Sequence, residues 1–416
     1  MCAKLRLLGI GMALARRECL HSAILFFFLF LGFFLDSAHA NWRTLGLTGI
    51  NPAGAAIYLR EKCTRPKHFG EKLSSICSYN DNILQAVANG AKMGIEECQH
   101  QFSMSRWNCS TFANTTSVFG GVTDIRSRET AYVFAISSAG VAYSVTKACS
   151  KGELNECSCD HKVHKRKPRR GNWQWGGCSE DINFGEKFSR TFVDSEENSE
   201  SASGLMNIHN NEAGRRIIRS QMKRICKCHG MSGSCNVRVC WRKLPTFRAI
   251  GDVLMQRYEG ASYVRVVERR QKDEEKRKKR GKKLRAANPI FKQPNRTELV
   301  FLDPSPDYCE RNETLGILGT HGRQCVQGSP RVDGCSILCC GRGYQTKIRE
   351  VEENCNCKFF WCCKVNVKRA TPRRRSIFVI DSMFHVYQTT VLYLLNRLMH
   401  DNCFVAVKRL HSCLCI

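Results

Sequence analysis

Hydrophobic positions recur at helical spacing through the first two thirds of the chain and lose that period in the last third. Leu84, Val87, Ala88, Ala91 and Ile95 share one face of a predicted helix, with Asn80 or Asp81 as its N-cap. Ala131–Val145 (AYVFAISSAGVAYSV) is apolar nearly all round, which predicts a central buried helix. The run is too short, and too interrupted by serine and glycine, to span a membrane. A third helix is predicted to run to Ile225, with Ile217, Ile218, Met222 and Ile225 inward. A fourth sets Phe247, Ile250, Leu254 and Tyr258 on one face and stops at Gly260.

Beyond these helices the pattern changes. The stretch from Arg269 to Arg285 is charged and has no apolar period, as a linker would be. Residues 299–363 then hold nine cysteines in short runs without helical pattern. So small a segment cannot bury much core, so hairpins stapled by disulfides are predicted. The expected organisation is a leader over 1–40, a helical domain over 41–265 and a basic linker over 266–298. A cysteine-rich domain over 299–370 and a tail of different character over 371–416 follow. The fold class is therefore mainly α in the N-terminal domain, with disulfide-stapled β-hairpins, plus a small cysteine-rich β-hairpin domain.

Composition sharpens this. The chain has 416 residues, 26 cysteines and a formal net charge of +28. Its head reads as a secretory signal: Lys4, Arg6, Arg16 and Arg17 precede the apolar stretch Ala23–Leu35, and Ala38-His39-Ala40 offers a cleavage site before Asn41. An oxidising compartment follows, so disulfides are the expected fate of the cysteines. Zinc competes for them, but CxxC and HxxxH spacings are missing from the sequence. Sequons at Asn108, Asn114, Asn295 and Asn312 fit a secreted glycoprotein.

The densest chemistry lies in Cys226–Cys240 (CKCHGMSGSCNVRVC). Nested pairs, 226 with 240 and 228 with 235, would staple a hairpin twice, and Gly230 and Gly233 permit a tight tip. The tip offers Ser232 or Ser234. Gly230–Ser234 approaches the G-x-S-x-G nucleophile elbow, but its last position is serine and the elbow's strand-turn-helix setting is missing. His229 has no evident carboxylate partner, so a secreted serine hydrolase using Ser232 is the alternative reading and not the main one. A plain glycine-serine turn would not need two staples. A rigid exposed hydroxyl is what an acyl-transferring enzyme can modify.

With Cys240-Trp241 after it, this run closely resembles the signature of the Wnt family of secreted, lipid-modified signalling proteins. Similar to the family too are Gln101-Phe102, Arg106–Cys109, Glu129–Ala131, Trp175–Ser179 and Asn207–Arg215. In the second domain Gly319–Arg323, Asp333–Cys335, Cys339–Gly343 and Phe360–Cys363 continue the resemblance, with order preserved from about Asn41 to Val365. The resemblance implies a ligand without enzymatic activity or cofactor, carrying palmitoleate on Ser232. The acyltransferase Porcupine would add it, Wntless would carry the product, and the lipid would enter a groove on Frizzled. At roughly 0.8 kcal/mol per buried methylene, the chain supplies on the order of 10 kcal/mol before the losses of association.

Met231 belongs to the same implied receptor contact. A second finger, Lys358–Cys363, would offer Phe359, Phe360 and Trp361 as anchors beside a vicinal Cys362–Cys363 disulfide; the competing reading makes its aromatics core. Asn108 matches a glycosylated family position. Further pairs implied by the family are 98–109, 149–157, 159–178, 309–340 and 325–335, and Cys63–Cys77 is another expectation. A low-density-lipoprotein-receptor-related co-receptor is a further implied partner.

The basic run admits a solvated linker, a proprotein-convertase site at Arg277–Arg280, or binding of heparan sulfate, the last favoured by the chain-wide charge. A matrix glycoprotein that binds heparan sulfate is thus another alternative for the whole chain. Secretion leaves nuclear targeting and nucleic acid aside. After Cys363 the family's pattern has three cysteines where Val367, Ala370 and Val379 stand here, the pairing positions for Cys357, Cys355 and Cys339. The tail's Cys403, Cys413 and Cys415 are arithmetically sufficient replacements.

Overall fold

The computed structural model describes residues 42–43, 81–112, 118–163, 173–268, 281–350, 353–360, 364–370 and 373–380. The chain divides into residues 1–42 and 43–416, and the elements below all belong to the second unit. The signal segment read at 1–40 and the pair read at Cys63–Cys77 lie outside the described residues.

The molecule is organised around α2 (Arg128–Lys151), buried almost without interruption from Glu129 to Cys149. Its ends follow from local chemistry. Ser127 caps the first turn by accepting from the Thr130 amide, and Gly152, in the left-handed region at φ 74°, closes the last. A helix with no polar face must be covered on all sides. That cover comes from α1 (Asp81–Gln101), α3 (Ile182–Val193), α4 (Ala202–Gln221) and α5 (Phe247–Glu259), all of which touch α2. Glycines let the backbones meet. A Cβ on Gly90 would stand 2.6 Å from the Gly140 carbonyl oxygen, and one on Gly214 would stand 2.8 Å from the Ala135 carbonyl carbon. Phe102 packs edge-on against Trp107, Tyr132 and Tyr258 at the end of α1.

The predicted inward faces of α1, α2 and α5 match their burial. The third predicted helix does not run to Ile225. It ends at Gln221, and Lys223–Cys228 is strand β2, where Ile225 is 37 % exposed. The cysteines at 226 and 228 need a period of two to reach their partners, and this outweighs the helical spacing of Met222 and Ile225. Helix α3 had no counterpart in the sequence reading, although Ile182, Gly185, Phe188, Ser189 and Phe192 mark its buried face.

The second half is a set of small sheets. Strand β4 (Ser262–Glu268) pairs antiparallel with β5 (Lys282–Ala286) and parallel with β6 (Val300–Phe301). Strand β5 lies inside the stretch read as a linker. Leu284 and Ala286 give it an apolar face, Leu284 packing on Met206, Val264 and Val300, which the lysines and arginines around it hide from a periodicity search. Strand β7 (Gln324–Cys325), the short α6 (Cys335–Leu338) and β8 (Tyr344–Glu350) follow. A hairpin of β9 (Glu353–Phe360) and β10 (Lys364–Ala370) comes next. The last strand, β11 (Arg373–Val379), lies between β7 and β8, so the stretch read as a tail opens inside the sheet. Val379 is buried with Cys325, Cys335, Leu338 and Cys339.

Polar side chains join the halves. The Asn210 amide imitates a strand, donating to the Val300 carbonyl (3.0 Å) and accepting from its N–H (2.9 Å). Arg126 grips Asp303 with two bonds, 2.7 and 3.0 Å. Arg323 donates to the carbonyls of Arg106 (2.7 Å) and Ser103 (3.0 Å), and Arg106 donates to that of Ile337 at 3.1 Å. Among the described residues seven disulfides form, with sequence separations from 7 to 31, and each lies wholly before residue 268 or wholly after residue 281.

Two outcomes follow for stability. Gly140→Val inserts atoms where α1 and α2 touch through backbone and should cost at least ~1–3 kcal/mol. A lowered thermal midpoint would report it, and an unchanged one would show that the helices separate freely. His209 is half-buried, 2.9 Å from the Glu298 carbonyl, and its desolvation lowers its pKa from 6.5 despite the Glu298 and Asn295 backbone acceptors and the Glu298 carboxylate. An imidazole that titrates lower folded than unfolded adds full stability above pH 6.5 and loses it as pH falls below that value. Thermal midpoints from about pH 7 to about pH 5 should therefore fall more steeply for the parent than for His209→Gln.

Candidate functional site: a twice-stapled hairpin

Strand β2 pairs with β3 (Arg238–Lys243) in a register that sets Cys226 opposite Cys240, where their disulfide closes the sheet. Cys228 reaches past its register partner Arg238 to Cys235 and closes the tip. Inside the inner staple the Gly233 amide donates to the Gly230 carbonyl (3.0 Å), and the Ser234 amide donates to that of Met231 (3.1 Å). The His229 amide donates to Val237 at 2.7 Å, carrying the pairing beyond the regular strands. A Cβ on Gly230 would stand 2.6 Å from the Ser234 carbonyl oxygen, so the tip closes only around glycine.

Ser232 sits at the apex with φ 55° and ψ 29°, in the left-handed region, followed by Gly233 at φ 76°. A serine there costs roughly 1–3 kcal/mol, which the two disulfides sustain. Ser232 is exposed, Ser234 half-buried, and Met231 is 91 % exposed. The tip thus presents one hydroxyl and one large apolar side chain to solvent.

The base is held from the side. Strand β1 (Gln174–Trp175) adds in parallel to β3, Trp175 beside Cys240, and the Gly176 amide donates to the Cys240 carbonyl at 3.0 Å. The Glu180 amide donates to the Arg242 carbonyl (3.1 Å), and the Arg242 amide donates to Ser179 Oγ (3.1 Å). Glu180 Oε2 accepts from the Leu244 amide while Oε1 meets Lys147 of α2 at 2.6 Å. Cys159–Cys178 pins the approach to this segment, and Cys149–Cys157 ties the loop leaving α2. Trp173 lies 4.5 Å beneath the Arg224 guanidinium. The route from the central helix to the tip is therefore polar contact, sheet and covalent bond. Sequence reading quoted Trp175–Ser179 as a motif but gave Ser179 and Glu180 no role; their signal was an acid and a hydroxyl beside a cysteine-bearing strand.

The second expected contact is placed only in its backbone. Strands β9 and β10 run antiparallel with Phe360 opposite Lys364 and Phe359 opposite Val365, while Trp361, Cys362 and Cys363 lie outside the described residues. The remaining described disulfides are Cys98–Cys109, Cys309–Cys340 and Cys325–Cys335. Among the sequons Asn295 and Asn312 are exposed, each accepting from the hydroxyl of its own Thr297 or Thr314 at 2.7 Å, Asn108 is half-buried, and Asn114 lies outside the described residues. Among the described residues no His, Cys, Asp and Glu side chains group as a metal site, and no helix is long and apolar enough to cross a membrane.

Against known proteins, a model described as the wnt family matches residues 65–378. Protein Wnt-1 of Danio rerio is 46 % identical over 292 residues, 70 % of this chain and 78 % of that protein. Protein Wnt-5a of Homo sapiens is 41 % identical over 363 residues, 83 % of this chain and 91 % of the relative. Among solved structures, human WLS in complex with WNT8A matches at 39 % identity and TM-score 0.52, over 73 % of this chain and 95 % of that one.

Replacing Glu180 by Gln should unseat the hairpin base, leaving Lys147 without its partner at a cost of roughly 1–3 kcal/mol. Limited proteolysis within residues 223–243 should accelerate in Glu180→Gln relative to the parent; an unchanged cutting rate would remove Glu180 as the anchor.

Proposed function

The chain belongs to the Wnt family, whose members are secreted signalling ligands and not enzymes, and from that premise we propose that it acts through a palmitoleoyl ester on Ser232 recognised by Frizzled receptors. One observation carries the reading. The hairpin holds Ser232 exposed at its apex, in a backbone conformation sustained by two disulfides, beside a Met231 that is 91 % exposed. A preordered tip lets an acyl chain enter a receptor groove with less entropy lost on association. Ser232 is favoured over Ser234 by that exposure. Porcupine would add the acyl group, and the similarity to WNT8A in its complex with human WLS supports Wntless as the carrier.

The hairpin of β9 and β10 would bring Phe359, Phe360, Trp361, Cys362 and Cys363 to a second receptor contact, with a low-density-lipoprotein-receptor-related co-receptor bound elsewhere. Heparan sulfate is supported by β4 and β5, whose register sets the exposed Arg265 directly opposite the exposed Arg285. Like charges facing across a sheet are unfavourable until an anion bridges them.

Ser232→Ala should abolish incorporation of an alkyne palmitoleate probe and reduce receptor signalling to background, while the secreted protein keeps its disulfides. Full probe incorporation in Ser232→Ala would place the lipid elsewhere.

A further inference from the structure

The hairpin has two unlike faces. Alternation along paired strands puts Cys226, Cys228 and Cys240 on one of them, together with Arg224 and its Trp173. The opposite face carries Ile225 across from Trp241, Lys227 across from Val239, and Val237, whose carbonyl continues the pairing at His229. Ile225 is 37 % exposed and Val237 41 % exposed, while Val239 and Trp241 are half-buried. Apolar side chains scattered singly over a surface need no explanation. Here they line up across the paired strands, from Ile225 and Trp241 at the base through Val239 to Val237 below the tip, and apolar side chains gathered in a row on one face point to something that covers them. Gly176 shapes the stripe's edge: Val239 stands where a side chain at 176 would be.

We propose that this stripe is the resting seat of the acyl chain carried by Ser232, which folds back along Val237, Val239 and Trp241 whenever no receptor or carrier holds it. The inference rests on acylation at Ser232. Attachment and length argue for this occupant. The chain is tethered at the end of the stripe, so its concentration there is set by the tether and not by encounter. A membrane acyl chain spans about half of the ~30 Å hydrocarbon core. Strands rise ~3.3 Å per residue, so a chain of that length covers roughly four or five residues. Starting at the tip, it reaches Val237 and Val239 and approaches Trp241. Lys223, Lys227 and Lys243 rim the same face, and their methylene stems can close over the chain while the ammonium groups stay in water. Receptor binding would then exchange one apolar surface for another, and the stripe would be uncovered as the lipid leaves it.

The test is photo-crosslinking on the full secreted chain. Cells expressing it are fed a palmitoleate analogue with a diazirine near its end, and the purified ligand is irradiated in buffer free of detergent and receptor. The expected result is analogue mass on Ser232 with intramolecular crosslinks to peptides covering 223–227 and 237–243. Val237→Lys should lower that crosslinking roughly tenfold, the change that ~1.4 kcal/mol of lost contact produces. Analogue on Ser232 with crosslinks scattered over other surfaces, or only to a second copy, overturns the seat and leaves acylation standing. So does unchanged crosslinking in Val237→Lys. Analogue missing from the peptide that contains Ser232 overturns both readings.

Discussion

The burial of α2 is the constraint from which the rest descends. A helix with apolar positions on all sides cannot sit at a surface, so four other helices must cover it, and backbone-to-backbone contact at Gly90, Gly140 and Gly214 brings them close enough. The remaining elements hang from that cover. Glu180 reaches Lys147 of α2 with one oxygen and the hairpin's base with the other. Asn210 of α4 holds Val300 of β6, which lies beside β4 in the first sheet of the second half. A hairpin whose residues from 223 to 229 are all exposed gains its position from these contacts at its base, where Cys240 is its buried residue.

How much of this was legible in the chain depends on which force set each element. Helices α1, α2 and α5 were readable because burial set them, and burial leaves a period in the sequence. The end of α4 was not, because disulfide geometry at Cys226 and Cys228 overrode a helical stripe that continued in the letters. Strand β5 was masked by charge: five residues, three of them basic, with only Leu284 and Ala286 turned inward. The tip was legible through cysteine spacing and glycines, and its left-handed serine was not, since nothing local distinguishes Ser232 from Ser234 in the letters.

The C-terminal sheet shows a substitution absorbed by packing. Where the family's pattern has a cysteine, Val379 fills an apolar pocket against Cys325, Cys335, Leu338 and Cys339. Strand β11 reaches that pocket through a full register with β8, from Arg373 opposite Glu350 to Val379 opposite Tyr344. Backbone pairing and a buried aliphatic group thus hold a strand at a position where the resemblance led one to expect a covalent bond.

The short reach of the described disulfides has a consequence for how the molecule is made. The widest of them spans 31 residues, between Cys309 and Cys340. Loops that short close quickly and at little entropic cost. Each pair can thus meet soon after its second cysteine enters the oxidising compartment, before the rest of the chain has been synthesised. Oxidation can proceed in the order of the chain, and the stapled tip, whose two bridges span 14 and 7 residues, can close without waiting for any residue of the second half.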